Sequence, residues 1–181
     1  MIGKILQKIA IKIRSVWYSI RTKTPLKNKI RVLGKISFRT QKMNLRIGKN
    51  VTLFKGVVFW GNGPIVIGDN VTIADDVIIL SASKEGIIIG NDTMIAARCY
   101  LIDSNHGHFL HKGPMWKQSL VSKRIIIGND CWICSNCVCG PGSVMPNGSV
   151  LGACSFLNKD FSKYENYIIG GVPAKPIKVR E

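Results

Sequence analysis

Apolar positions in the second half of the chain recur every six residues. Glycine follows several of them, and small residues recur three positions after the glycines. A period of six fits neither an α-helix, with about 3.6 residues per turn, nor a half-buried strand, which alternates every second residue. It predicts short strands that turn at regular intervals and point one side chain per turn into a common interior. The apolar positions of this stretch are Ile127, Ile133, Cys139, Met145, Leu151 and Leu157.

A recurring unit carries the same period into the first half of the chain. Each unit has Ile-Gly, then two residues from Asp, Asn and Lys, then Val or Thr, and the units begin at Ile47, Ile67 and Ile89. The isoleucine fills the interior, Gly and Asn or Asp tolerate the turn, and the small or β-branched residue packs beside it. We therefore expect an all-β solenoid over residues 29–165, followed by a C-terminal tail at 166–181.

The first 28 residues have a different, helical spacing. Their apolar residues follow one helical face, and Lys4, Lys8 and Lys12 are interleaved among them. This spacing predicts a basic amphipathic helix within residues 1–28. One hypothesis is that the helix caps the end of the solenoid. The other is that it contacts an anionic membrane surface, where each nearby Lys or Arg contributes about 1 kcal/mol.

The positive charge of the chain is unevenly placed. The formal net charge is +16, and residues 1–68 contain 15 Lys and Arg but no Asp or Glu, whereas residues 69–181 contain 11 basic and 10 acidic residues. A basic segment without a recognisable nucleic-acid-binding module is weak support for such binding, so we expect no nucleic-acid partner. The sequence has no uncharged apolar run of about 18 residues and no continuous apolar signal-peptide core. We expect a cytoplasmic protein, with peripheral contact at the inner face of the plasma membrane as a further hypothesis.

Six cysteines raise the question of a metal site, since Cys131, Cys134, Cys137 and Cys139 lie close together in sequence. The six-residue period places Cys131 and Cys137 in small-residue positions and Cys139 in an apolar position. Because these positions point in different directions, a tetrahedral thiolate site is disfavoured. We expect free thiols that act as small core residues, and no metal.

The period is interrupted once, which predicts a long loop that leaves the solenoid at about 102–124. All three histidines of the chain lie in this loop: His106, His108 and His111. Three interpretations compete: exposed loop residues, a metal site, or one imidazole acting as a general base, since imidazole changes charge near neutral pH. No acidic or thiolate side chain follows the histidines in the loop to complete a metal shell.

Several segments share motifs with a known family. Besides the hexads, they are Asp103-Ser104-Asn105-His106-Gly107, Asp130-Cys131-Trp132-Ile133, Leu151-Gly152-Ala153-Cys154-Ser155 and Gly170-Gly171-Val172-Pro173-Ala174-Lys175-Pro176-Ile177. Together they resemble the hexapeptide-repeat acyltransferases, and more narrowly the branch with galactoside, maltose and polysaccharide O-acetyltransferases. The resemblance covers roughly residues 45–180. It implies a left-handed parallel β-helix, a homotrimer with active sites between subunits, and acetyl-CoA as the acyl donor.

The resemblance also implies catalytic roles for individual residues. His106 matches the family's general base, and Asp103 is a candidate to orient the imidazole or stabilise its charged form, with a structural turn aspartate as the alternative. The backbone N–H of Ser135 matches the donor that stabilises the growing charge on the thioester oxygen. Attack by the acceptor hydroxyl is expected to be direct, without an acyl-enzyme.

Further matches concern the binding of coenzyme A. By position, Ala153 matches a residue whose N–H contacts the pantetheine arm. Lys159, Lys175 and Lys178 match basic positions near the nucleotide phosphates, for which point-charge lysines are suited.

The acceptor side rests on two residues. Asp76 lies where relatives carry a polar residue that touches the sugar, and Trp116 is a candidate to stack on a sugar ring. We therefore predict an acetyl-CoA-dependent O-acetyltransferase acting on a sugar hydroxyl of a capsule, O-antigen or exopolysaccharide precursor. The basic N-terminal region favours a lipid-linked glycan acceptor. The alternatives are an N-acetyltransferase of an amino-sugar nucleotide, a zinc hydratase of the gamma carbonic anhydrase type, and a non-catalytic membrane-binding solenoid.

Overall fold

A computed structural model of the chain describes residues 2–40 and 44–181. These residues contain one long α-helix, α1 (Ile2–Arg21), and short 3-10 helices at Leu26–Asn28 and Met115–Lys117. In chain order the strands are β1 (Arg31–Val32), β2 (Ser37–Arg39), β3 (Asn44–Ile47), β4 (Thr52–Leu53), β5 (Val58–Trp60), β6 (Pro64–Ile67), β7 (Thr72–Ile73), β8 (Ile78–Leu80), β9 (Ile87–Ile89), β10 (Met94–Ile95), β11 (Tyr100–Ile102), β12 (Ser104–His106), β13 (Leu120–Ser122), β14 (Ile125–Ile127), β15 (Trp132–Ile133), β16 (Val138–Cys139), β17 (Val144–Met145), β18 (Val150–Leu151), β19 (Phe156–Leu157), β20 (Tyr167–Gly171) and β21 (Ala174–Val179).

The strands wind into a solenoid of about six turns with three sheets as its faces. The first face has the order β1-β4-β7-β10-β15-β18-β20-β21, the second β2-β5-β8-β11-β16-β19 and the third β3-β6-β9-β14-β17. Pairing within the faces is parallel except between β20 and β21. The predicted all-β solenoid is confirmed.

Three edges join the faces, and each edge is a column of turns with one turn from each coil. Edge A contains the turns at 48–50, 68–70, 90–92, 128–130 and 146–148. Edge B contains those at 54–56, 74–76, 96–98, 134–136 and 152–154. Edge C contains those at 61–63, 81–86, 103–124, 140–142 and 158–160.

The hexad positions fill the interior, as the period predicts. Each fully buried aliphatic side chain of this kind stabilises the fold by about 1.5 to 3 kcal/mol. The small positions beside them are also buried, for example Thr93, Cys131 and Ser149. The buried apolar positions of the later coils are Ile127, Ile133, Cys139, Met145, Leu151 and Leu157.

Tight turns at edges A and B need a residue in the left-handed backbone conformation. On edge A this residue is Asn or Asp in four coils, with φ between 51° and 59° at Asn50, Asn70, Asp92 and Asp130. Asn and Asp adopt this conformation more readily than other residues with a side chain. The Asx residues of the repeat therefore have a direct conformational function.

Helix α1 covers the open end of the solenoid at β1. The Val32 N–H donates to Ser15 Oγ at 2.9 Å, and the Arg14 guanidinium donates to the Val32 carbonyl at 3.4 Å. The Tyr18 hydroxyl donates to the carbonyl of Ile36 at 2.8 Å. The bonds to Val32 occupy backbone groups of β1, an edge strand that has no preceding coil to pair with.

The apolar face of α1 does not make this contact. The exposed apolar side chains are Ile5, Leu6, Ile9, Ile13, Val16, Trp17 and Ile20. Within the described part of the chain, no helix combines the length and the apolar character needed to cross a membrane.

Residues 166–181, which we expected to form a tail, extend the first face instead. β20 pairs in parallel with β18, and β21 returns antiparallel to β20. The Gly171 N–H donates to Ser155 Oγ at 2.9 Å, so this C-terminal hairpin lies against the end of edge B.

Candidate active site

Edge B carries a column of backbone N–H groups with no partner. The residues just before the left-handed position in its turns are Lys55, Asp75, Ala97, Ser135 and Ala153. The left-handed residue itself is paired: for example, the Asn136 N–H donates to the Ala97 carbonyl at 3.1 Å. Across residues 2–40 and 44–181, however, nothing accepts a hydrogen bond from the N–H of Ala97, Ser135 or Ala153. These amides are free to bind a ligand that lies along edge B.

Edge A has the same turn backbone, but its equivalent N–H groups are occupied. The Lys49 N–H donates to Asp69 Oδ1 at 2.7 Å, and the Asp69 N–H to Asn91 Oδ1 at 2.8 Å. The Asn91 N–H donates to Asn129 Oδ1 at 2.8 Å, and the Asn129 N–H to Asn147 Oδ1 at 2.8 Å. Side chains of edge A therefore use the amides that edge B leaves open.

The long excursion at 103–124 is an antiparallel ribbon that leaves edge C. β12 pairs with β13, and His106 lies opposite Leu120, with an exposed side chain. The Gln118 carboxamide holds the ribbon's tip: its Oε1 accepts from the Phe109 N–H at 2.9 Å, and its Nε2 donates to the carbonyls of Phe109 at 3.0 Å and Gly113 at 2.9 Å. The imidazole of His106 is thus presented on a braced ribbon.

Asp103 anchors the base of this ribbon. Its buried carboxylate accepts from the Ser81 hydroxyl at 2.9 Å, from the Ala82 N–H at 2.7 Å and from the Ser83 N–H at 3.1 Å. Its own carbonyl accepts from the Lys123 N–H at 2.9 Å, where the ribbon returns. The expected contact with the imidazole is not formed within the described chain, because these bonds engage both carboxylate oxygens. The structural alternative fits these contacts.

The other two histidines lie in different surroundings. The ring of His108 stacks on Phe109 with 5.9 Å between the ring centroids, and His111 occupies a left-handed turn with φ of 62°. Among the residues that the structure describes, no three His, Cys, Asp or Glu side chains are grouped as a metal ion requires.

His106 and Ser135 lie on different edges of one chain. His106 extends from edge C, whereas the free N–H of Ser135 is on edge B, and the second face lies between them. Strands rise about 3.3 Å per residue, so the two edges are separated by roughly 15 Å. A single chain therefore presents the two candidate catalytic groups as separate halves.

Similarity to known proteins places this geometry in a family. No family model matches the chain. WbbJ of Escherichia coli strain K12, provisionally named as a lipopolysaccharide biosynthesis O-acetyltransferase, is 38% identical over 144 residues, covering 75% of this chain and 71% of WbbJ. The chain belongs to the hexapeptide-repeat acyltransferases. The galactoside O-acetyltransferase of the same strain is 31% identical over 144 residues, covering 76% of this chain and 65% of its own.

Solved structures agree with this acyltransferase in fold. AntD, an N-acyltransferase from Bacillus cereus in complex with dTDP-4-amino-4,6-dideoxyglucose and coenzyme A, superposes with a TM-score of 0.72 at 21% identity, covering 84% of this chain and 81% of AntD. The predicted left-handed β-helix is confirmed. Acetyl-CoA is the acyl donor of the family.

Edge B of the acyltransferase fits coenzyme A in its chemistry. A pantetheine arm carries amide carbonyls that need N–H donors, and Ala97, Ser135 and Ala153 supply unpaired donors beside small side chains. Ala97 and Ser135 are half-buried, whereas Ala153 is exposed beside the C-terminal hairpin. Free donors in line, with little side-chain bulk beside them, are what an extended polar chain requires.

The three lysines expected near the phosphates do not lie together. Lys175 and Lys178 are exposed on β21, and Lys178 forms an ion pair with Glu181 at 2.9 Å. Lys159 lies on edge C, with its Nζ 5.4 Å from the centroid of the Phe161 ring. Lys175 is therefore the basic residue of this group that combines nearness to edge B with freedom from an ion pair among the described residues.

The candidate acceptor residues are also on different parts of the acyltransferase. Asp76 is exposed in a left-handed turn of edge B, with φ of 57°, and its N–H donates to the Lys55 carbonyl at 3.0 Å. Trp116 lies near the tip of the ribbon, 74% exposed, with Lys117 Nζ 5.1 Å from the ring centroid. Asp76 thus fills a turn position as well as facing solvent.

The cysteines of the acyltransferase are free thiols placed mainly in the core. The Cys131 thiol donates to the Pro146 carbonyl at 3.1 Å, and the Cys137 thiol to the Gly152 carbonyl at 3.1 Å. Burial raises the pKa of Cys131 to about 11. Burial and a raised pKa make Cys131 and Cys137 core groups that are poorly suited to act as nucleophiles.

The sequence interpretation named the N–H groups of Ser135 and Ala153 through the family resemblance, but it missed that of Ala97 and the column that the three form. The signal was present in the middle residue of the later turns: Asn91, Asn129 and Asn147 on edge A, but Ala97, Ser135 and Ala153 on edge B. An Asx side chain accepts a neighbouring amide, whereas alanine has no acceptor.

Proposed function

We propose that the chain is an acetyl-CoA-dependent O-acetyltransferase that modifies a sugar hydroxyl of a surface-polysaccharide precursor. The observation that carries this proposal is the column of free N–H groups on edge B, beside which the donor would lie. The provisional name of WbbJ supports lipopolysaccharide biosynthesis as the process. The galactoside O-acetyltransferase supports a sugar hydroxyl as the acceptor.

His106 is the proposed general base. A sugar hydroxyl is a weak nucleophile, and an imidazole within hydrogen-bond reach removes its proton as the new bond forms, typically for a factor of about 10² to 10⁴. The exposed position of His106 on the ribbon lets an acceptor approach. Acetyl-CoA supplies the thioester carbonyl that the hydroxyl attacks.

The Ser135 N–H is the proposed donor to the oxygen on which charge develops. An unpaired backbone amide in a half-buried turn is fixed in direction before the reaction, so it needs no reorganisation as the charge forms. The hydroxyl of Ser135 makes no hydrogen bond among the described residues, and the proposed role does not involve it. Attack would be direct, without an acyl-enzyme, because the free cysteines all lie outside the ribbon that carries His106.

The proposed assembly is a homotrimer with sites between subunits. Edges B and C of one chain are roughly 15 Å apart, so the ribbon of one subunit would complete the site at edge B of the next. Asp76 on edge B and Trp116 on the ribbon would then line the acceptor side together. Asp103 holds the ribbon in the position from which His106 acts.

The proposed acceptor is a lipid-linked glycan, and the proposed location is the inner face of the plasma membrane. Residues 1–68 contain 15 basic residues and no acidic residue. This charge supports a location of this end of the protein beside an anionic surface. Residues 1–28 would provide the contact.

A CoA-release assay tests the function. Purified protein with acetyl-CoA and a panel of sugars that offer either hydroxyl or amino groups should release free thiol only with a hydroxyl acceptor, and mass spectrometry should show the acetyl ester. Release that depends on an amino sugar would instead support N-acetylation, which the AntD fold likeness keeps as the second candidate. Release with none of the acceptors, in the presence of stoichiometric zinc, would favour a hydratase.

A further inference from the structure

The two faces of α1 have different partners. Arg14, Ser15 and Tyr18 bind the first coil, whereas the apolar side chains lie on the other side of the helix. With 3.6 residues per turn, Ile9 lies about 180° around the helix from Tyr18. The helix therefore turns Arg14, Ser15 and the buried Tyr18 to the protein, while a stripe of its aliphatic residues faces away. An ordinary surface helix buries such a stripe.

The exposed apolar face is continuous and large. Ile13 and Ile20 are 66% and 69% exposed, and Trp17 between them is 52% exposed. Single exposed apolar residues need no explanation, but a contiguous stripe along a helix of about 30 Å marks a binding surface. Since α1 lies across the end of the solenoid, the stripe forms the outer surface of that end.

The charges around the stripe identify its partner. Lys8 and Lys12 flank the stripe on one side, and Arg21 lies on the other. Long basic side chains beside an apolar stripe can reach phosphates while the apolar residues enter the acyl boundary. The partner that matches both properties is an anionic lipid surface.

A cavity at the same end extends the basic surface. It has a volume of about 770 Å³, and its lining includes Arg21, Lys23 and Arg46 with the hydroxyl groups of Thr22 and Thr24. The first 68 residues contain no Asp or Glu, so no carboxylate of this segment offsets these charges. A phosphate headgroup would find donors and positive charge here.

A second copy of the chain is a poorer partner for this face. Two copies meeting through α1 would bring together two segments that each hold 15 basic and no acidic residues in residues 1–68. Like charges at such a contact repel, whereas an anionic bilayer attracts them.

We propose that the apolar face of α1 docks this end of the solenoid onto an anionic phospholipid bilayer. The surface consists of Ile5, Leu6, Ile9, Ile13, Val16, Trp17 and Ile20, with Lys8 and Lys12 as its basic flank. The first coil then lies next to the lipid, and the later coils lie farther from it. This inference names the membrane as the partner in the proposed function. It rests on that function only where it links the docking to a lipid-linked acceptor.

Vesicle flotation tests the docking. Full-length protein should float with vesicles of phosphatidylcholine and phosphatidylglycerol, and much less with phosphatidylcholine alone or at high salt. Ile13→Gln should weaken binding by roughly tenfold or more, because a buried isoleucine is lost without a change in charge. Replacing Lys8 or Lys12 by Gln should weaken binding to the anionic vesicles roughly fivefold each, which corresponds to about 1 kcal/mol.

Gly3→Gln is the matched control. It introduces the same side chain on the same helix, where a Cβ meets nothing within 4 Å, and it removes no apolar residue. Flotation of Gly3→Gln should equal that of the wild type. Circular dichroism and light scattering should show the same fold and mass for all variants.

Several results would overturn the docking. They are failure of the wild type to float with anionic vesicles, equal flotation of Ile13→Gln, and a change of mass in Ile13→Gln without a change in flotation, which would assign the face to a second copy. CoA release with a water-soluble acceptor and no vesicles is measured separately. Its loss with flotation intact would refute the proposed function alone, and its presence without flotation would refute the docking alone.

Discussion

Edges A and B of the solenoid have the same turn backbone and opposite hydrogen-bonding behaviour. In both, a left-handed residue closes the turn and its N–H bonds the neighbouring coil. The residue before it differs: Asn91 and Asn129 on edge A accept the amide of the preceding coil, whereas Ala97 and Ser135 on edge B have no such acceptor in place. One side chain per coil therefore separates a stabilised edge from a binding edge.

The comparison shows how a repeat can carry a site without an irregular backbone. On edge A the Asx side chains accept hydrogen bonds from backbone N–H groups that water would otherwise bind. These bonds stabilise the stacking of the coils. On edge B the same amides are left for a ligand, at the cost of that stabilisation. Function here arises from omitting a side-chain bond at a regular position.

The largest expected effect concerns the group that edge B lacks. Edge B offers donors but no base, so we predict that His106→Ala lowers kcat by about 10² to 10⁴ in the CoA-release assay. The control is His108→Ala, which removes the neighbouring imidazole that stacks on Phe109 and should change kcat little. Full activity of His106→Ala, or an equal loss in His108→Ala, would contradict the assignment of the base.

The next effect tests the open amide directly. Ser135→Pro removes the N–H and should lower kcat by about 10² to 10³, the usual consequence of losing one oxyanion donor. The turn can accept proline, because Pro141 stands before the left-handed Gly142 on edge C just as Ser135 stands before Asn136.

Ser135→Ala is the matched control, since it keeps the N–H and removes only the hydroxyl. Its kcat should stay close to that of the wild type. Equal losses in the two variants, with unchanged circular dichroism and mass, would show that the side chain and not the amide matters.

The repeat was predictable because it depends on side-chain type at fixed positions. The period of six and the Ile-Gly-Asx units determine which residues are buried and which turn, and the break at 102–124 follows from the same count. The site was harder to predict from the sequence, because its main feature is an unpaired backbone group. The residue type in the middle of a turn indicates a free N–H only when the two edges are compared, and Ser135 and Ala153 were identified only through the family resemblance.

Two expected groupings are not formed within one described chain, for a common reason. Asp103 was expected beside the imidazole, but its partners Ser81 to Ser83 come from the preceding coil, which sequence distance conceals. Lys159 was grouped with Lys175 by family position; within one chain it lies on edge C, which in the proposed trimer would adjoin edge B of the next subunit, so its role stays a prediction. Contacts across coils depend on stacking register, which a single sequence does not display.

A smaller effect is expected on stability, where a variant of edge A should lose free energy of unfolding and a variant of edge B should not. Asn129→Ala removes the acceptor of the Asn91 N–H and should lower the free energy of unfolding by about 0.5 to 1.5 kcal/mol, as one net hydrogen bond contributes. Activity per folded molecule should not change. Urea unfolding at one fixed protein concentration measures this.

Ser135→Ala again serves as the comparison, now for stability. Its hydroxyl makes no hydrogen bond among the described residues, so its free energy of unfolding should equal that of the wild type. If both variants lose the same stability, the ladder on edge A has no special role and the contrast between the edges fails.

The smallest effect concerns the basic end of edge B. Lys175 is exposed on the C-terminal hairpin, which Ser155 ties to edge B through the Gly171 N–H, whereas Lys178 is engaged by Glu181. An exposed charge contact contributes about 0.2 to 1 kcal/mol, so Lys175→Gln should raise the KM for acetyl-CoA by at most about fivefold with kcat unchanged.

Lys163→Gln, which removes an exposed lysine from the turn after Phe161, is the control and should leave KM unchanged. Added salt should raise the wild-type KM and narrow the difference from Lys175→Gln, because screening weakens the contact that the variant already lacks. A KM that does not respond to Lys175→Gln at low salt would place the phosphates away from this hairpin.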